Sequence, residues 1–168
     1  MNRYLPTALV LALCFVLAPA IHAQIGIYGQ FNGTHDPGVG GWYTGGTFGA
    51  YDDVVRSGPV HLGFDLRAGF AGGHQYSYHD FLFGPRLAIK PPVLPFKPYI
   101  QGEIGFGGTK YTGRSGGSYD NHFQSGIIGG LDYTILPRID VRIPEIGYEK
   151  MNGVGMTTLG FGLVIRLP

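Results

Sequence analysis

Cysteine is nearly absent from the 168-residue sequence. The single cysteine, Cys14, lies in the apolar stretch near the N-terminus. The rest of the chain therefore forms no disulfide, and it has no thiol for catalysis or metal binding. Cys14 also lacks the small preceding residue that a lipoprotein signal requires, because it follows Leu13.

Charged side chains are also scarce, at 14% of the chain against about 25% in an average soluble domain. One of the 12 basic residues, Arg3, precedes residue 24, which leaves 11 basic and 11 acidic residues and no net charge. Phosphate binding needs a clustered basic excess, so nucleic acid is excluded as a partner. A water-exposed surface is hard to build from so few charges, whereas a lipid-facing surface needs none.

The only long apolar run lies at the N-terminus and predicts a cleaved signal peptide over residues 1–23. Arg3 supplies the positive charge, residues 8–18 form an uncharged apolar core, and small residues stand at Ala20 and Ala23. Cleavage after either alanine is open, and Ala23 is preferred because the strand pattern begins at the next residue. The alternative is a single membrane-spanning helix, but the core is shorter than the roughly 20 residues that such a helix needs.

From residue 24 the chain shows the two-residue periodicity of β-strands and no sustained helical periodicity. Between Val60 and Phe70 every second residue is apolar, while Asp65 and Arg67 lie on the opposite face. Successive side chains of a strand point to opposite sides, so one face is apolar and the other small or charged. Eight segments follow this pattern: 24–34, 42–51, 60–70, 80–90, 97–107, 122–134, 139–148 and 158–167.

The alternation loses register at Pro144 in the seventh segment. Because proline cannot donate to the strand ladder, we predict a β-bulge there. The bulge keeps Glu145 on the polar face and Ile146 and Tyr148 on the apolar face.

The predicted connections differ between the two ends of the sheet. The longer ones are 35–41, 71–79, 108–121 and 149–156, and those at the opposite end are 52–59, 91–95 and 135–138. Short periplasmic turns and longer external loops are typical of membrane barrels.

The polar face distinguishes a membrane barrel from a soluble barrel such as a lipocalin, which remains the alternative. A soluble barrel has its charged face outside, whereas this polar face is mainly Gly, Gln, Thr and Ser with few charges of both signs. Such a face suits the narrow interior of an eight-stranded barrel, where ions must pair.

We therefore predict an all-β fold, an eight-stranded antiparallel up-and-down transmembrane β-barrel over residues 24–168. The charged residues of the polar face are expected to form a structural network in the lumen: Asp65, Arg67, Arg86, Glu103, Asp132, Asp140, Arg142, Glu145 and Arg166. Some of the aromatic residues near strand ends are expected to form interfacial girdles, although β-propensity also explains them. They are Tyr28, Trp42, Tyr43, Tyr51, Tyr99, Tyr133 and Tyr148.

The chain from residue 24 onward resembles the small eight-stranded outer-membrane barrels of the OmpA/OmpX type. Members of that family tend to end in a sorting signal of the form polar-x-Gly-x-x-apolar-x-apolar, which Thr158, Gly160, Leu163 and Ile165 match. This chain departs from the family in ending on Pro168 and not on an aromatic residue. The resemblance implies location in the outer membrane, contact with its lipid, and insertion by the barrel assembly machinery with periplasmic chaperones.

The sequence indicates a non-enzymatic protein with a structural role or with surface contacts through its external loops. The alternatives are a narrow solute pore, an enzyme that acts on lipid, and a soluble secreted binding protein. Neither a catalytic motif nor a cofactor site is evident. No serine has the histidine and carboxylate partners that a nucleophile needs. Glu103 and Asp132 suit a salt-bridge network better than acid–base chemistry. A metal site is not expected, because the histidines near the external loops lack ligand-like spacing. They are His35, His74, His79 and His122.

Overall fold

The computed structural model describes residues 24–38, 40–73, 76–111 and 118–167. The predicted signal peptide, residues 1–23, lies outside these residues, and so does Pro168. No helix in the described part of the chain is long and apolar enough to cross a membrane.

Eight strands form one closed barrel in which each strand pairs with its neighbours in sequence, and β8 pairs with β1. All pairings are antiparallel. The strands are β1 (Gln24–Asp36), β2 (Gly41–Ser57), β3 (Val60–Gly72), β4 (Tyr76–Ile89), β5 (Phe96–Tyr111), β6 (Asp120–Leu136), β7 (Ile139–Met151) and β8 (Val154–Arg166). The predicted fold is confirmed.

We call the end of the barrel that holds residues 24 and 167 the terminal end, and the opposite end the far end. The terminal end holds the connections between β2 and β3, β4 and β5, and β6 and β7, and the far end holds the other four. The strands are 13 to 17 residues long, more than the 9–11 that a tilted strand needs to cross a bilayer. They therefore extend beyond an apolar band of ordinary height.

The predicted connections are mostly too long. The predicted turn 52–59 is wrong, because β2 continues to Ser57 and a bulge between Asp52 and Val55 shifts the register. That bulge interrupts the alternation, which made the segment resemble a turn. The loops predicted at the far end also overlap the strand ends, since the chain between strands there covers only 37–40, 73–75, 112–119 and 152–153.

Local backbone preferences explain the tightest turns. Asn152 and Gly153 connect β7 to β8 with φ angles of 49° and 82°. Two positive φ angles define the type I′ hairpin turn, for which Asn-Gly is the preferred pair. At the terminal end, Pro137 and Arg138 connect β6 to β7, and Arg138 has φ 75°, as at the second central position of a type II turn.

The apolar face of the sheet points outward, as predicted. Phe64 and Leu163 are 61% and 53% exposed, whereas Asp65 and Arg67 are buried inside the barrel. The predicted bulge near Pro144 is present as a register shift between Arg142 and Glu145.

The aromatic residues divide between the two faces of the sheet. Trp42, Tyr133 and Tyr148 point outward near the strand ends, as girdle residues do. The girdle interpretation is wrong for four of the seven, because Tyr28, Tyr43, Tyr51 and Tyr99 are buried inside. These four tyrosines occupy the same alternate positions as the inward polar residues. The two-residue repeat could therefore have predicted that they point into the barrel.

Candidate functional site

The structure places the nine charged residues predicted for the lumen inside the barrel. Most of them form a middle layer, and two lie nearer the terminal end. We define the middle layer as Asp65, Arg67, Arg86, Glu103, Asp132, Arg142 and Glu145, all of them at most 4% exposed.

Arg67 connects three carboxylates of the middle layer. Its Nε atom lies 2.8 Å from Glu103 and 3.2 Å from Asp65, and its Nη1 atom lies 2.8 Å from Glu145. These contacts join β3, β5 and β7 across the lumen. A buried charge is tolerated only when it is paired in this way.

Arg142 and Arg86 pair with the remaining carboxylates of the layer. Arg142 Nε lies 2.8 Å from Asp132, and Arg142 Nη1 lies 3.2 Å from Glu145. Arg86 Nη2 donates to Asp132 at 3.1 Å. Glu145 therefore joins Arg142 to Arg67, and the layer forms one continuous network.

Inward tyrosines complete the middle layer; the sequence analysis named them as girdle candidates and did not include them in the lumen network. Tyr28 donates to Asp65 at 2.8 Å, and Tyr99 donates to Glu145 at 2.5 Å. The rings also cover the guanidinium groups, with Arg86 3.9 Å from the ring centroid of Tyr51 and 4.3 Å from that of Tyr99. Cation–π contact stabilises arginine away from water.

Glycines on neighbouring strands make room for these tyrosine rings. Tyr51 pairs with Gly26, Tyr28 with Gly49, and Tyr99 with Gly130. A Cβ atom on any of the three glycines would lie 2.3–2.4 Å from the facing tyrosine. The glycine content of the inward face thus allows large rings to lie flat against the barrel wall.

A second set of ion pairs, the terminal group, fills the lumen near the terminal end. Asp140 accepts from Lys97 Nζ at 3.0 Å, and it forms an ion pair with Arg166, whose Nε atom lies 3.0 Å away. Asp53 pairs with Lys90, and His61 Nδ1 lies 3.3 Å from Asp53.

The sequence analysis included only part of the terminal group, Asp140 and Arg166. Lys97 is two residues before Tyr99 on β5 and therefore points inward with it, which the two-residue repeat could have indicated. Asp53 could not be recognised in this way, because the bulge in β2 interrupts the repeat. Lys90 follows the end of β4, and burial lowers its pKa while the Asp53 carboxylate opposes that shift.

The lumen toward the far end has carboxylates but no basic partner among the described residues. Tyr78 donates to Asp80 at 2.8 Å, and Gln124 donates to Glu149 at 2.5 Å and to Tyr78 at 2.6 Å. Above them lies an apolar cluster of Tyr43, Ala71, Tyr78, Met151 and Met156. Side chains therefore fill the lumen on both sides of the middle layer.

The histidines near the far end lie apart from one another. His35 contacts the ring of Trp42, His79 contacts that of Tyr119, and His122 lies 3.1 Å from Asp120. His74 lies outside the described residues. Among the residues that are described, no three metal-ligating side chains are grouped around a common point.

Glu103 and His122 are a carboxylate and an imidazole that an enzyme acting on lipid would need close together, and they lie in separate ion pairs. Glu103 pairs with Arg67 inside the barrel, whereas His122 pairs with Asp120 near the far end. Within the described residues, the charged partners of His61 and His122 are Asp53 and Asp120, and no serine hydroxyl hydrogen-bonds to a histidine.

The four residues of the predicted sorting signal lie on β8, which closes the barrel against β1. Thr158 points inward and contacts Thr34 at 3.2 Å, while Leu163 and Ile165 are exposed on the outer wall. Gly160 is opposite Asn32 of β1.

Comparison with solved structures shows the same fold in small outer-membrane barrels. The crystal structure of Neisserial surface protein A (NspA) has a TM-score of 0.60 and 14% sequence identity, over 86% of this chain and 97% of that chain. Ail, the attachment invasion locus protein of Yersinia pestis, has a TM-score of 0.59 and 14% identity, over 86% and 97% of the two chains. At this identity the likeness is one of fold, and it confirms the resemblance to OmpA/OmpX-type barrels.

An enzyme shares the fold as well. The outer membrane enzyme PagL has a TM-score of 0.50 and 14% identity, over 84% of this chain and 99% of that chain. The fold therefore does not separate enzymes from proteins without catalytic activity. No protein-family model matches the sequence, and no curated protein matches it.

Proposed function

We propose that this chain is an integral outer-membrane barrel with a filled lumen, and that its role is structural or depends on contacts made at its far end. The observation that carries the proposal is the reversed polarity of the barrel. Its outer wall exposes a continuous apolar band that includes Phe64, Phe106 and Ile127, while its charges pair inside. Water would disfavour this arrangement and hydrocarbon favours it.

The same proposal covers how the chain reaches the membrane. Residues 1–23 direct export, and the barrel assembly machinery with periplasmic chaperones inserts the chain, with β8 supplying the sorting signal. The terminal end then faces the periplasm and the far end faces outward, since short turns lie on the periplasmic side of such barrels. The longest connection, residues 112–119, lies at the far end, and the proposed contact surface is the rim of the barrel at that end.

Fractionation of cells that express the full chain tests this proposal. We expect the protein in the outer-membrane fraction, with faster gel migration before boiling than after it, because a closed barrel resists detergent until heated. A boiled aliquot of the same fraction serves as the unfolded reference. Recovery of a folded protein from the periplasm without detergent would favour the soluble binding protein and overturn the proposal.

We further propose that the barrel conducts no solute at rest. The network of Arg67, Arg142 and Glu145 crosses the lumen, and the tyrosine rings occupy the space around it. A cavity of about 220 Å³ opens at the far end, lined by Asp36, Met151 and other residues of the rim. An ion that passed through would have to displace paired buried charges, which is costly.

Planar-bilayer recording measures whether the barrel conducts ions. We expect no steady current steps from the heat-modifiable, folded protein, and none from a boiled aliquot of the same sample. Current steps of uniform size that occur only with the folded aliquot would show a pore and contradict the closed lumen.

The proposed role is not catalytic. Because the enzyme PagL has the same fold, catalytic activity toward lipid is tested directly. Glu103 is buried against Arg67, and His122 lies in a separate ion pair. Incubation of folded protein with labelled lipids is expected to leave them unchanged. Product formation that depends on either side chain would replace the proposal with an enzymatic one.

A further inference from the structure

We propose that the outer wall has a binding site for one membrane lipid with an anionic phosphate headgroup. The site consists of an apolar groove that holds an acyl chain and a polar pocket around Lys150 that holds the headgroup. The inference rests on the proposed insertion of the barrel in a membrane, and it concerns a site distinct from the lumen.

The groove results from small residues on the outward face of adjacent strands. Pro85 on β4 and Gly102 on β5 form its floor, because neither has a long side chain to cover the wall. Phe83, Ile104 and Ile127 are among the side chains that rise around it. The groove encloses about 520 Å³, within the range of about 300–1,000 Å³ in which proteins bind small ligands.

The absence of a side chain at Gly102 keeps the groove open, and it is not required for a close approach of two strands. A Cβ atom at Gly102 would have no atom within 4 Å, whereas one at Gly105 of the same strand would lie 2.0 Å from a backbone oxygen. Gly105 is therefore needed for the close approach of two strands, and Gly102 is not. A side chain at position 102 would occupy the groove without disturbing the barrel.

A polar pocket of about 390 Å³ adjoins the groove toward the far end. The two share Ser125 and Lys150, which are directly opposite each other on β6 and β7. Lys150 is the penultimate residue of β7, at the height where the strands leave the apolar band. Asn152 and His122 also line the pocket and add polar groups around the amine.

Charge determines which kind of lipid fits. Lys150 is exposed and makes no ion pair with any described carboxylate. An unpaired ammonium group at the end of an apolar groove matches a phosphate attached to an acyl chain, because the charged hydrogen bond forms where the chain leaves the hydrocarbon.

A second groove provides a comparison within the same wall. It encloses about 510 Å³ on the other side of Phe64 and Phe83, and Ala50 and Leu66 line it. No basic residue lines it. The two grooves are similar in volume and mainly apolar, but Lys150 lines the first and the acidic Asp52 lines the second.

Native mass spectrometry of the folded barrel in detergent tests the site, with dimyristoyl phosphatidic acid as the probe. Dimyristoylglycerol, which has the same acyl chains and no phosphate, is the matched lipid. We expect one tightly bound phosphatidic acid per barrel and about tenfold weaker binding of dimyristoylglycerol, as expected for the loss of one charge-assisted hydrogen bond.

Three variants separate the parts of the site. Lys150→Ala is expected to weaken phosphatidic acid binding about tenfold while leaving dimyristoylglycerol binding unchanged. Gly102→Leu fills the groove and is expected to weaken the binding of both lipids. Ala50→Leu fills the second groove instead and is expected to leave phosphatidic acid binding unchanged.

Each variant is first checked for heat-modifiable migration, so that loss of the barrel is distinguished from loss of the site. A folded barrel that binds the two lipids equally, or whose binding is insensitive to both Lys150→Ala and Gly102→Leu, would overturn the lipid site and leave the proposed function intact. Failure of the wild-type chain to form a heat-modifiable barrel would contradict the proposed function itself.

Discussion

Gly84→Ala is expected to prevent the barrel from forming. A Cβ atom at Gly84 would lie 1.8 Å from the backbone oxygen of Gly102 on the neighbouring strand. Because that oxygen belongs to the sheet, relief requires the two strands to separate. We expect a loss of at least about 3 kcal/mol of stability, which is more than a routine overpacking substitution costs.

Refolding into detergent micelles, followed by gel migration with and without boiling, measures the effect. Gly102→Ala is the matched control, because its added methyl group has no atom within 4 Å and points to the outer wall. We expect the control to migrate as the folded form and Gly84→Ala to show only the unfolded band. Equal folded fractions for the two variants would contradict the claim that the strand contact at Gly84 requires glycine.

Arg67→Met is expected to destabilise the folded barrel by about 3–5 kcal/mol. The substitution preserves a long side chain but leaves Asp65 and Glu103 without their basic partner, and it leaves Glu145 with Arg142 alone. A buried carboxylate without a counter-charge costs more than the pair contributed. Urea unfolding in detergent, followed by tyrosine and tryptophan fluorescence, measures the loss.

Two further variants test the reason for that loss. Arg56→Met removes an exposed arginine at the end of β2 and is expected to change the stability by less than about 0.5 kcal/mol. Adding Glu103→Gln to Arg67→Met removes one of the unpaired charges and is expected to recover part of the stability. If Arg67→Met alone unfolds at the same urea concentration as the wild type, the middle layer does not stabilise the barrel.

The fold could be predicted from the sequence because a single physical pattern repeats along it. Alternation between Val60 and Phe70 determines which side of β3 meets hydrocarbon, and the same parity places Asp65 and Arg67 inside. The ends of the strands were harder to predict. At the rim both faces of a strand meet polar surroundings, so the alternation fades while the backbone ladder continues, as it does through His35 and Asp36.

The candidate site could be predicted only in part. Charged residues on the inward face can be recognised in the sequence, whereas the packing of side chains from different strands cannot. Alternation identified Arg142 and Glu145 as inward residues, but it gave no reason to place Tyr51 over Arg86 or opposite Gly26. Those contacts depend on register between strands, which a single strand does not reveal. The outer groove at Gly102 is lined by residues of five strands, and no single strand gives a sequence signal for it.

The pairing of β8 with β1 determines when the barrel can fold. Gly26 is paired with Arg166, so the contact joins residues from opposite ends of the folded chain. Until β8 arrives, β1 and β7 each have an open row of backbone donors and acceptors that hydrocarbon cannot satisfy. An incomplete sheet therefore leaves two unpaired edges, and the barrel is expected to close only when β8 is available to pair with β1.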